Sequence, residues 1–205
     1  MHRLFLDSNV LVSRTFRDWI FLLRNQGHVY QLHSTNDVIA EAIRAVRRMH
    51  PRADGGMITG LKNRIEKNLD EVLSDFPGDI SFDGKDLDDL HVHAAATFCD
   101  ADILVTDNTR DFGDPSQCRY DIYTADEVLC LIADSNPRGF TEVARDQAKY
   151  WSGRRDSGDN VKALDKALVD AGCPEFATVV KQELIRQAGV DAVMALVSQG
   201  ASELK

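Results

Sequence analysis

Through roughly the first 130 residues, short apolar runs alternate with segments of helical apolar spacing, and no turn signal folds two of the runs into a hairpin. Strands that cannot pair through hairpins must pair through crossovers, so the sheet is expected to be mostly parallel, with helices covering both faces. The fold class is therefore α/β, in three layers. The runs are residues 3–7, 29–32, 103–106 and 120–123. Ile103, Leu104 and Val105 read as the most buried of these, because no polar residue alternates with them.

Between the runs, Trp19, Ile20, Leu22 and Leu23 give a helical face that Gln26-Gly27-His28 stops. Ser34 to Asp37 supply caps for a helix carrying Val38, Ile39, Ile43 and Val46, with Glu41 inside it. Spacings of three and four through Ile58, Leu61, Ile65, Leu69, Val72 and Leu73 predict a longer helix over 57–73. An alanine-rich helix over 91–99 follows Asp86-Leu87-Asp88-Asp89, and Thr124-Ala125-Asp126-Glu127 is a capping box. After residue 134 strand signals cease. Helical spacing returns over 161–171, 174–188 and 190–198, with Gly172 and Gly189 as stops and 152–160 as a connector. The division expected is an α/β domain over 1–133 and a helical domain over 134–205.

Composition narrows the function. With 205 residues, 43% of them apolar, the chain suits one full core or one domain with a small appendage. Its 24 basic and 33 acidic residues leave a net charge of −9, so any phosphate-bearing partner must be met locally. No apolar run approaches a spanning length of roughly 18 residues, which excludes a membrane protein, and the first apolar run is too short for a signal peptide. Cys99, Cys118, Cys130 and Cys173 match no zinc or redox spacing and read as reduced thiols in a cytoplasmic protein.

Asp7, Glu41, Asp89 and either Asp107 or Asp111 fall on or just after the carboxyl edge of the expected sheet. Crowded carboxylates repel, and a hard divalent cation relieves them. Carboxylates without histidine or thiolate spacing suit Mg2+ or Mn2+ better than zinc, and such a site can drive phosphodiester hydrolysis. Ser8, Asn9, Thr106 and Asn108 are expected to hydrogen-bond and orient the carboxylates. His91 and His93, two apart, cannot share a metal and read as packing or surface residues.

The run Phe5-Leu6-Asp7-Ser8-Asn9-Val10-Leu11 resembles the opening motif of PIN domains. Asp89 followed by His91-Val92-His93-Ala94-Ala95-Ala96 is similar to their third motif, and residues 104–112 resemble their fourth. The resemblance spans about residues 1–130 and implies a PIN-like fold and a metal-dependent endoribonuclease of the VapC toxin type, leaving a 5′-phosphate. It also implies that Asp7, Glu41, Asp89 and Asp111 surround Mg2+ or Mn2+, with Asp107 left as an alternative fourth ligand. Structured RNA such as tRNA is the implied substrate, a small antitoxin the implied partner, and a homodimer a common state of the family. Arg44, Arg47, Arg48 and Arg110 are the candidate RNA contacts, with Arg52 completing the cluster, and Trp151, Arg154 and Arg155 form a second basic patch. Two rival functions stand beside this one: a non-catalytic interaction module of the same fold, and a phosphatase of the haloacid dehalogenase type. The latter wants an acid where this chain has Asn9.

Overall fold

The sheet has five strands, β1 (His2–Leu6), β2 (Tyr30–Thr35), β3 (Glu71–Leu73), β4 (Ile103–Val105) and β5 (Asp121–Tyr123), all parallel and ordered β3-β2-β1-β4-β5. The computed structural model describes residues 1–27, 29–156 and 162–202. Leu4, Phe5 and Leu6 are buried in succession, as are Ile103, Leu104 and Val105. Successive side chains point to opposite faces of a strand, so unbroken burial means that both faces are covered, as an α/β arrangement requires.

Three helix-bearing connections set the architecture. α1 (Ser8–Val12) and α2 (Arg14–Asn25) join β1 to β2, α3 (Asn36–Met49) and α4 (Gly55–Asn68) join β2 to β3, and α5 (Leu90–Phe98) leads back to β4 on the far side of β1. The chain thus winds one way from β1 to β3 and resumes the other way from β4. Between the carboxyl ends of β1 and β4 the connections part and leave a crevice. Polar residues at the strand ends start the helices: Thr35 accepts the Val38 N–H at 3.1 Å, and Thr124 and Glu127 form the expected capping box of α6 (Ala125–Ser135).

β3 corrects the predicted helix over 57–73. The helix ends at Asn68, and His33, Ser34 and Thr35 pair with Glu71, Val72 and Leu73. A three-residue strand is too short to show alternation, and Val72 and Leu73 continue the helical spacing by coincidence. A non-local contact secures the edge: the Asp70 carboxylate accepts the Leu32 N–H at 2.8 Å and pairs with Arg24.

The remaining chain is helical: α7 (Pro137–Asp156), α8 (Leu164–Asp170) and α9 (Pro174–Ser202). Residues 152–156 continue α7 instead of opening a connector, and residues 157–161 lie outside the described residues. Gly172 ends α8 with φ +83°, a conformation costly for other residues, whereas α9 runs through Gly189. An interior glycine costs a helix only about 1 kcal/mol, less than a long helix gains by continuing. Phe176 of α9 meets Trp19 of α2 edge-on at 4.9 Å and Phe140 of α7 at 5.8 Å, so these helices share one hydrophobic core with the sheet layers. Among the described residues no helix is long and apolar enough to cross a membrane.

Candidate active site

Asp7 is the first residue after β1, and its backbone N–H donates to Val105 of β4 at 3.1 Å, which fixes it at the mouth of the crevice. Its carboxylate is 2% exposed and collects three donors. Ser8 gives its backbone N–H, the Asn9 amide donates at 2.7 Å, and the Thr106 hydroxyl donates at 2.7 Å. Asn9 also donates to Thr106 at 2.9 Å and accepts the Asp107 N–H at 3.1 Å, while the Asn108 N–H donates to Thr106 at 3.1 Å. Both strand ends are therefore knit around one carboxylate. Burial pushes the Asp7 carboxyl above its ordinary range, Thr106 and Ser8 pull it back, and the Glu41 charge pushes it up again.

Asp89 closes a 3-10 turn, Leu87–Asp89, immediately before α5. Its Oδ2 is buried and has no hydrogen-bond partner. The carboxyl is pushed up to about 6, first by burial and then by the charges of Asp7, Asp86 and Asp111. Asp111 sits in the 3-10 turn Thr109–Phe112 beyond β4 and holds the strand-to-helix loop through its carbonyl, which accepts the Lys85 N–H at 2.9 Å. Asp107 is turned elsewhere: its carboxylate accepts the Ala125 N–H at 3.1 Å and helps start α6. Of the two candidate acids of the fourth motif, Asp111 is the one whose charge bears on Asp89.

Glu41 lies on the exposed side of α3 and meets His91 of α5, with 3.0 Å between Oε1 and Nε2. His91 is thus a neighbour of the site, beyond the packing or surface role that its spacing from His93 suggests. His93 does pack, its Nδ1 2.6 Å from the Tyr120 hydroxyl and its ring 5.0 Å from Phe82. Arg44 and Arg48 follow Glu41 at i+3 and i+7, exposed on the same side of α3. Arg52 and Arg110 are also exposed, whereas Arg47 is committed to the Ala53 carbonyl. In the second patch, the Arg154 guanidinium lies 5.9 Å from the Tyr150 ring centre, Trp151 packs against the core, and the Arg155 side chain lies outside the described residues.

The donor set is chemically suited to a hard cation: oxygen ligands, two of them on carboxyls held above their normal range, and one buried oxygen without a partner. Among the described residues no three histidine, cysteine or carboxylate side chains are already gathered into a ready-made cage. Asp7 and Asp89 are the pair whose repulsion a cation would relieve. Comparison with protein-family models, with curated proteins and with solved structures finds no match for the chain.

Proposed function

We propose that the chain is a PIN-like, Mg2+- or Mn2+-dependent endoribonuclease, the toxin half of a toxin–antitoxin pair acting in the cytoplasm on tRNA or other structured RNA. The observation that carries this reading is the unpartnered, buried Asp89 oxygen, on a carboxyl that feels the charges of Asp7 and Asp111, beside the strand ends where the winding of the chain reverses. A structural carboxylate in such a place would be paired; a ligand carboxylate must keep an oxygen available. Asp7, Asp89, Glu41 and Asp111 would hold the cation. A bound divalent ion supplies a polarised phosphoryl oxygen and a water acidic enough for in-line attack.

The protein's own residues do the positioning. Thr106, Asn9 and the Ser8 N–H hold the Asp7 carboxylate in one orientation, and the Thr106 and Ser8 donors offset part of the upward push of its burial. Arg44 and Arg48 extend from the Glu41 side of the crevice as contacts for the phosphates flanking the scissile bond. His91 restrains Glu41 at the rim. The phosphatase alternative would need an acid at position 9, where the Asn9 amide instead donates to Asp7.

The test is cleavage of a labelled pool of total tRNA and messenger RNA with Mg2+ or Mn2+, using wild type, Asp7→Ala and a chelated control. Cleavage that needs the metal and disappears with Asp7→Ala is expected. A folded protein that binds neither Mn2+ by calorimetry nor cuts RNA would make the acidic crevice a non-catalytic interaction surface.

A further inference from the structure

Away from the acidic crevice, a cleft of about 310 Å3 opens between α2, α4 and α7, lined by Arg14, Asp18, Arg64, Asn68, Gln147 and Tyr150 among others. Its volume is at the lower end of the roughly 300–1,000 Å3 typical of sites for small ligands. Its charge runs against that of the chain. On a protein of net charge −9, Arg14 and Arg64 converge here near the buried Arg17, which both repel and which Asp18, on the same cleft, attracts more strongly than either repels. Arg17 has a structural task, donating to the Leu11 and Val12 carbonyls. Arg14 is partly offset by Asp18 at 3.5 Å, across an exposed pair, while Arg64 has no carboxylate partner among the described residues. With Asp18 set against Arg14, the cleft keeps one uncompensated guanidinium charge, which a phosphate can neutralise.

The rest of the lining is equally specific in kind. Tyr150 is 46% exposed, an aromatic ring presented to solvent at the cleft, with Arg154 against it. Gln147 brings an amide to the same place, and Asn68, whose amide nitrogen donates to the Arg64 carbonyl at 2.8 Å, brings its amide oxygen. A flat aromatic surface, amides that can read a base edge and a pair of guanidiniums are the components that recognise an unpaired nucleotide. The position agrees: a single short helix, α1, separates Asp7 from the start of α2 at Arg14.

We infer that this cleft is an accessory RNA-binding site that takes one unpaired nucleotide, its base on Tyr150 and its phosphates on Arg14 and Arg64. The choice of RNA rests on the function proposed above; the cleft would anchor a single-stranded segment adjoining the bond presented to the acids.

The probe is a fluorescein-labelled, unstructured RNA of about 12 nucleotides, within the span of known single-strand sites. Its binding is followed by anisotropy in EDTA across a salt series, using the full-length protein. Tyr150→Ala is expected to weaken binding at least about fivefold, with Tyr150→Phe close to wild type, since stacking needs the ring and not the hydroxyl. Arg14→Ala with Arg64→Ala is expected to lower the slope of log affinity against log salt by about 1.4, at about 0.7 for each single-strand phosphate that the protein no longer neutralises. All three positions are exposed, so the variants should melt with wild type. Absence of binding by wild type, or binding by Tyr150→Ala and the double variant equal to that of wild type, overturns the proposal. Metal-dependent cleavage with unchanged binding in the variants removes the cleft and leaves the nuclease. Binding abolished in the variants without any metal-dependent cleavage keeps the cleft and removes the nuclease.

Discussion

Replacing Asp89 by asparagine should make the metal-free protein more stable. The Asp89 carboxyl is pushed up from 3.8 to about 6 by burial and by the charges of Asp7, Asp86 and Asp111, so its ionised form is disfavoured in the folded state. Two pH units correspond to about 3 kcal/mol at 1.36 kcal/mol per unit. Solvent screens a residue that is only half-buried, which brings the working figure to about 1 kcal/mol. The sign follows from a folded value above the unfolded one. The penalty is complete above about pH 7, declines as the pH falls through the folded value, and is nearly gone only by about pH 3, below the unfolded value, where the carboxyl is neutral in both states. In EDTA at pH 7.5, Asp89→Asn should therefore melt about 2–4 °C above wild type, and the gap should shrink by roughly half at pH 5. Millimolar Mn2+ should reverse the order, stabilising wild type by mass action and leaving the variant unmoved. Thermal unfolding followed by circular dichroism measures all of this. A variant that melts at or below wild type in EDTA at pH 7.5, or a gap that does not change with acid, would refute the assignment of Asp89 as a carboxylate held ionised against its surroundings.

Three further outcomes test the scaffold and the substrate path. Phe176→Ala should cost about 3–5 kcal/mol in urea unfolding, because the ring is fully buried between Trp19 and Phe140, and the α/β and C-terminal parts should lose structure in one transition. Asp126→Ala should cost about 1 kcal/mol, since its carboxylate accepts the Glu175 and Phe176 N–H groups at 3.0 and 2.8 Å and starts α9. Arg44→Glu with Arg48→Glu should weaken RNA binding in a salt-dependent manner and leave the melting temperature within about 1 °C, because both side chains are exposed.

Four of the five strands and the capping box of α6 are legible in the sequence because local patterns carry them: unbroken apolar runs, and a threonine three residues before a glutamate. The acids after β1 and β4 can be placed at one edge for the same reason, since parallel strands put their carboxyl ends together. What stays hidden is non-local. Whether Asp107 or Asp111 bears on Asp89 turns on the hydrogen bond from Ala125 to Asp107, across 18 positions of sequence. Sequence spacing sets His91 against His93, its near neighbour, whereas the partner that matters is Glu41 on a different helix. β3 exists because Asp70 bonds to Leu32 and Arg24, neither of which a helical periodicity over 57–73 can reveal.

The chain also contains its own standard for a structural carboxylate. Asp70 is gripped by Arg24 and the Leu32 N–H, and those partners hold its carboxyl below the normal range. Asp126 is spent on the first turn of α9, and Asp107 on the first turn of α6. Each is explained by the fold it supports. Asp7 and Asp89 are set apart because their surroundings push the other way: burial and neighbouring acids raise them, and no guanidinium or ammonium pairs with either among the described residues. The three donors on Asp7 fix its orientation without supplying a positive charge. Carboxylates used only for stability would be more favourably replaced by amides at these two positions, and the fold would lose little. Retaining two acids whose ionised forms burial and neighbouring acids disfavour, with one buried Asp89 oxygen unbonded, makes physical sense where a cation completes the crevice.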